Sequence, residues 1–273
     1  MKFICRILVS LALIVPAKMM AQKPTWEIGL FLGASNYQGD LAPNIVVAET
    51  KPAIGGFIKR AVNDYFAYSL GLNYGTVSGD DKNFKYLAPR NMHFQSEIFE
   101  ITPQVEFNFF RFGSSPRAHK FTPYLFTGLS YFKFNPKAKL NDEWVRLQPL
   151  TTEGQGIIKD APKKYSLWQF AIPIGAGLKF NLSPEFNMTV NCGFRSAFTD
   201  YLDDVGGVYP DRSILDEARG GDAAYFSDPS GAVSGINIGV AGKQRGNSDT
   251  KDWYIFSGVT LSYIIRQGTC YTF

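Results

Sequence analysis

The sequence has few of the residues that carry most catalytic and metal chemistry. Among 273 residues there are two histidines, His93 and His119, and three cysteines. No His/Cys spacing of the kind zinc requires is present. The early GLFLGAS stretch lacks both the Lys and the following helix of a phosphate-cradling loop, so no cofactor is expected. Beyond the N-terminal leader no run of 18 or more apolar residues occurs, which excludes a membrane-spanning helix. Two cysteines outside the leader, Cys192 and Cys270, can pair or stay as thiols, and are too few to form a disulfide scaffold.

The leader MKFICRILVSLALIVPAKMMAQ has the parts of a secretory signal: Lys2 and Arg6, an apolar block from Ile7 to Val15, and Ala21 before Gln22. The expected division is a signal peptide over 1–21 and one outer-membrane domain over 22–273. Cys5 precedes the apolar block, so it is not placed to be a lipidated first residue. Removing the leader takes away Lys2, Arg6 and Lys18 and no acid, lowering the formal charge from +4 to +1. That is not the concentrated basic face of a nucleic-acid binder.

Aromatics and glycines are plentiful: Phe 23, Tyr 14, Trp 4, Gly 26. They fall into alternation. From Trp26, the residues Trp26, Ile28, Leu30 and Leu32 oppose Glu27, Gly29, Phe31 and Gly33. In 66–77, Phe66, Tyr68, Leu70, Leu72 and Tyr74 oppose Ala67, Ser69, Gly71, Asn73 and Gly75. Segments 98–110, 167–180, 186–198 and 253–265 alternate likewise; 53–62 does so weakly, and 122–134 is apolar on both faces. Period two marks strands with unlike faces. Several segments approach or exceed the ~9–11 residues that a tilted strand needs to cross a bilayer. Their second face is small and polar, as a narrow lumen requires. Trp26, Tyr37, Tyr74, Phe109, Trp168, Phe198 and Trp253 sit at segment ends, where aromatic girdles form.

Connector length sorts by parity. Connectors 38–52, 78–97, 135–166 and 199–252 are long; 63–65, 111–121 and 181–185 are short. Outer-membrane barrels have short periplasmic turns, longer external loops and an even strand count. The expectation is an all-β, eight-stranded antiparallel transmembrane barrel in the cell outer membrane, embedded in its lipids. The terminal aromatic, Phe273, suits such a barrel.

Catalysis has one weak candidate, His93 with Ser96 and Glu97. His93 and Ser96 are three residues apart and face opposite sides of an extended strand. The acids Asp200, Asp203, Asp204 and Asp211 could hold Ca²⁺, but are read as a solvated external loop. Loop 199–252 lacks apolar periodicity and is expected to be flexible at least in part. Glu100, Glu106, Lys179 and Arg195 lie on polar faces and must pair, which predicts a plugged, cross-linked lumen. The basic turn with Arg111, Arg117 and Lys120 is a candidate periplasmic docking surface.

The stretches GLFLGASNYQGDL, PLTTEGQG, YSLWQFAIPIGAGLKFNLS and FRSAFTDYLDDVGGVY together resemble the PorG-like proteins, with SNYQGDL and FTDYLDDV the most specific. The resemblance runs from about Trp26 to Phe273. It implies a small outer-membrane barrel of the type IX secretion and gliding machinery, in contact with a periplasmic ring lipoprotein and its partner subunit (PorK/PorN-like), with no catalytic residues. A general barrel for membrane integrity or surface adhesion is the alternative, and a lipid-modifying enzyme using His93 is a third reading.

Overall fold

The computed structural model describes residues 25–113, 118–159 and 161–265. The leader, Arg117, Cys270 and Phe273 lie outside them. The chain forms β1 (Trp26–Gln38), β2 (Lys51–Ala61), β3 (Phe66–Asp80), β4 (His93–Asn108), β5 (Phe121–Gly128), β6 (Ser130–Lys133), β7 (Pro136–Leu140), β8 (Glu143–Arg146), β9 (Trp168–Asn181), β10 (Phe186–Ala197) and β11 (Trp253–Ile265). Between β10 and β11 lie three helices, α1 (Arg212–Arg219), α2 (Gly221–Ser227) and α3 (Gly231–Ser234).

Eight antiparallel staves close into a ring. β1 to β4 pair in order, β4 pairs with β5 and β6, these pair with β9, and β9, β10 and β11 follow. β11 returns to β1 from Trp26↔Ile265 to Gln38↔Trp253. Closure is the physical requirement, because an open edge would leave N–H and C=O groups unpaired in hydrocarbon. β5 and β6 are one stave: Gln104↔Gly128 and Ile101↔Tyr131 share a register. The break falls at Leu129, whose N–H donates to the Pro103 carbonyl at 3.2 Å. Pro103 has no N–H to return, so the ladder lapses there.

The faces are those that alternation predicts. Leu30 is 68% exposed and Leu70 46%, while Glu100, Thr102 and Ser130 are fully buried. Apolar side chains thus cover the outside of a closed sheet, the arrangement of a barrel in lipid, and the chain is an outer-membrane β-barrel. Cys192 is on this outward face. The undecided segment 122–134 resolves with Thr122, Tyr124, Phe126 and Phe132 inward and Leu125, Leu129 and Tyr131 outward. Its inner rings explain the glycines opposite: a Cβ at Gly175 would lie 2.2 Å from the Phe126 ring.

Two expectations are corrected. Tyr37 is not in an outer girdle; it is on the inward face of β1 and almost wholly buried. β3 and β4 outrun the alternating segments, pairing as far as Asp80↔His93. Above the membrane the backbone ladder continues without needing an apolar face, so the pattern ends before the strand. Loop 199–252, expected to be flexible at least in part, carries α1 to α3, with Leu215, Ala223 and Phe226 buried. The first two helices pack against each other, and each is too short to leave a long apolar stripe in the sequence.

Candidate functional site

Two regions hold the polar groups that a sequence reading singles out: the lumen and the external cap. In the lumen Lys179 lies 2.6 Å from Glu106, and Lys59 lies 3.6 Å from Glu106 and 3.0 Å from Glu27. Arg195 lies 3.1 Å from Glu100, which also accepts from Asn73 at 2.8 Å and Tyr254 at 2.8 Å. Each strand contributes by parity alone, since inward residues of neighbouring strands stand side by side. The cross-linked interior is present as expected. Lys59 and Glu27 were not foreseen as members, although their parity marks them as inward.

Over the long-loop end the quoted motifs meet. The Tyr37 hydroxyl sits 2.7 Å from Asp203 Oδ2 and 2.8 Å from Asp252 Oδ1. One hydroxyl has one proton to give, so one of the two carboxyls must be protonated. Burial first, and then each carboxylate's neighbouring acids, push both Asp203 and Asp252 well above the ordinary carboxyl range. Asp204 accepts from Thr152 and Tyr165. Glu153 accepts from buried Arg245 at 2.9 Å and from the backbone N–H groups of Gly206 at 3.0 Å and Gly207 at 3.1 Å. Arg90 forks onto Asp81 at 2.6 and 2.9 Å and donates to the Asp40 carbonyl at 3.0 Å.

The acid group does not form a solvated loop. Asp200, Asp203 and Asp204 are buried, and Asp211 instead caps α1 through the N–H groups of Ser213 and Ile214. The correction has a local cause: β10 ends at Ala197, and the turn after it folds inward over the rim. Among the described residues no three acid, His or Cys side chains gather as a metal ion requires. Glu153 and Tyr37 lay within the quoted stretches but carried no chemical signal of their own; Arg245, in GKQRGNSD, was missed.

Burial raises Asp204 to about 6, against the pull of Arg245. Burial, with Asp40 beside it, raises Asp200 to about 7. A carboxyl raised in the fold binds its proton more tightly there than in the opened chain, so stability falls as pH climbs from about 4 through these values. Amide exchange over 200–209, corrected for intrinsic rates, is expected to be slower at about pH 5 than at about pH 8. The reverse order would mean that these carboxyls are charged in the native cap.

His93 lies at the start of β4, where Nε2 accepts the Lys139 N–H at 2.9 Å. Ser96 Oγ accepts from the Asn135 N–H at 2.9 Å, and Glu97 pairs with Lys137 at 3.0 Å. The structure therefore does not bring the three together. At the short-turn end Arg111 is exposed with its Nε 3.3 Å from the Tyr65 hydroxyl, and Lys120 is exposed too.

Several solved outer-membrane barrels are similar to this chain. The N-terminal barrel domain of Pseudomonas aeruginosa OprF is 14% identical, with 88% of this chain and 97% of that one covered and a TM-score of 0.37. Ail, the attachment invasion locus protein of Yersinia pestis, is 8% identical over 89% of this chain and 100% of that one, with a TM-score of 0.43. Neisserial surface protein A gives 8%, 89%, 99% and 0.43. The barrel assignment rests on the closed ring itself. Among curated proteins none matches. Kinship comes from the sequence profile of a domain of unknown function, DUF6089, which matches residues 5–225, and the chain belongs to that family.

Proposed function

We propose that this barrel is a non-enzymatic structural component of the type IX protein secretion, gliding-associated machinery, anchored in the outer membrane. Its short-turn end contacts the periplasmic ring lipoprotein and that lipoprotein's partner subunit. One observation carries the reading. The separate stretches by which the chain resembles the PorG-like proteins supply the buried partners of one cap: Tyr37, Thr152, Glu153, Tyr165, Asp203 and Asp204. Residue identities dispersed over the sequence thus serve one built object, as a shared family role would require. On the opposite end, Arg111 and Lys120 offer exposed positive charge to a partner.

The second reading, a general barrel for membrane integrity or adhesion, draws on exposed apolar side chains of the cap such as Val233, Ile236 and Val240. Affinity purification of the detergent-solubilised chain from its own cell envelope separates the two. Ring subunits are expected to co-purify with the native chain and to be depleted by the double charge reversal Arg111→Glu, Lys120→Glu. Loss of rim charges should act mainly through association rate and salt sensitivity. Absence of ring subunits from the native preparation would reject the secretion role and favour the second reading.

A further inference from the structure

A cleft of about 760 Å³ opens on the outer side of the barrel wall, beneath the external cap. Its floor is the outward row at the top of β1, β11 and β10: Gln38 faces Trp253 across the ladder, and Phe194 stands one step lower, opposite Ile255. Its roof is the returning segment 244–251 together with Asp40, Pro43 and Arg90. The volume lies within the ~300–1,000 Å³ usual for small-molecule sites.

The height of the cleft decides what meets it. Phe198, past the end of β10 and further outward along the same strand direction, is still 56% exposed and apolar. The apolar band of the wall therefore reaches above Phe194, and the cleft faces the outer leaflet where acyl chains give way to headgroups. Trp253 is the residue type that favours that level.

The charges lining the cleft are unequal. The Asp40 carboxylate is held by the Asn247 N–H at 2.9 and 3.1 Å, Arg90 is committed to Asp81, and Arg245 to Glu153. Lys251 is exposed; it pulls against the upward shift of the Asp200 carboxyl through space but forms no salt bridge with a described residue. A solvent-exposed cation held by no salt bridge, above an aromatic floor and at headgroup depth, is complementary to an anionic amphiphile.

We propose that this cleft binds one outer-leaflet lipid with a phosphorylated headgroup, the phosphate on Lys251 and an acyl chain along Phe194 and Trp253. The site stands independently of the secretion role. The test is native mass spectrometry of the full, delipidated chain offered phosphatidylglycerol or phosphatidylcholine, with heat-modifiable gel mobility confirming a folded barrel in every variant. One phosphatidylglycerol is expected to be retained in preference to phosphatidylcholine. Lys251→Gln should lower that retention about fivefold, the scale of one lysine's attraction to an anionic lipid surface. Lys163→Gln, on an exposed loop segment outside the cleft, should leave it unchanged. Thr250→Trp, which fills the cleft, should abolish it. Equal retention of the two lipids, or retention indifferent to both Lys251→Gln and Thr250→Trp, overturns the proposal. So does displacement of the lipid by glycerol phosphate at the same concentration, which would mark a soluble phosphate site.

Discussion

Replacing Glu106 with Ala is expected to destabilise the barrel by about 3–5 kcal/mol, the cost of removing one member from a buried charge cluster. Glu106 stands between two ammonium groups, with Lys179 at 2.6 Å and Lys59 at 3.6 Å. Without it Lys179 keeps the Asn108 side-chain oxygen at 2.8 Å, and Lys59 keeps Glu27 at 3.0 Å. Two cations then share one carboxylate in the barrel interior. The cluster borders a polar-lined cavity of about 70 Å³, large enough for several water molecules. Urea unfolding in vesicles, followed by tryptophan fluorescence, measures the loss. Replacing the four charges together, Glu27→Gln, Lys59→Met, Glu106→Leu and Lys179→Met, should restore most of it, because no unpaired charge remains. A loss below about 1 kcal/mol for Glu106→Ala would mean that the lumen is wet enough to solvate the lysines.

Barrel architecture was legible because the bilayer imposes a simple rule on every spanning residue. Outward positions must be apolar, inward positions small or paired, and the period of two converts that into sequence. The rule failed where its cause is absent. Segment 122–134 carries Tyr124, Phe126 and Phe132 inward, with Phe126 filling space left by Gly175 and Gly193 and Tyr124 that left by Gly177. A ring demanded by a distant glycine cannot be told from a ring demanded by lipid. Tyr37 misled for the same reason: at a segment end it has the composition of a girdle residue, but its odd parity points it at Asp203 and Asp252.

The cap was the least legible part. Its links join Tyr37 to Asp252, and Glu153 to Arg245, across wide separations in sequence. No local period encodes such pairings, so buried acids in TDYLDD look like solvent-exposed ones. What a single sequence did supply was parity: Lys59, Glu27 and Tyr254 each fall on the inward register and each belongs to the buried network.

Leu70→Arg tests the face assignment at its most sensitive point. Leu70 is the central member of the outward row Phe66, Tyr68, Leu70, Leu72 and Tyr74 on β3, and its ladder neighbours are Ile58 and Pro103. A centre position in an apolar row lies near the bilayer midplane, where an arginine on the lipid face costs about 2–4 kcal/mol. The matched inward change is Asn73→Ser. Asn73 donates to Glu100 at 2.8 Å, but Glu100 keeps Arg195 at 3.1 Å and the Tyr254 hydroxyl at 2.8 Å, so one hydrogen bond worth about 1 kcal/mol is lost. Unfolding in vesicles should therefore rank Leu70→Arg well below Asn73→Ser in stability. The same ranking measured in thin, short-chain lipid should narrow, because a thinner hydrocarbon layer lets the arginine reach headgroups and water. Equal losses for the two substitutions, or a gap indifferent to bilayer thickness, would place Leu70 away from hydrocarbon and undo the assignment of faces.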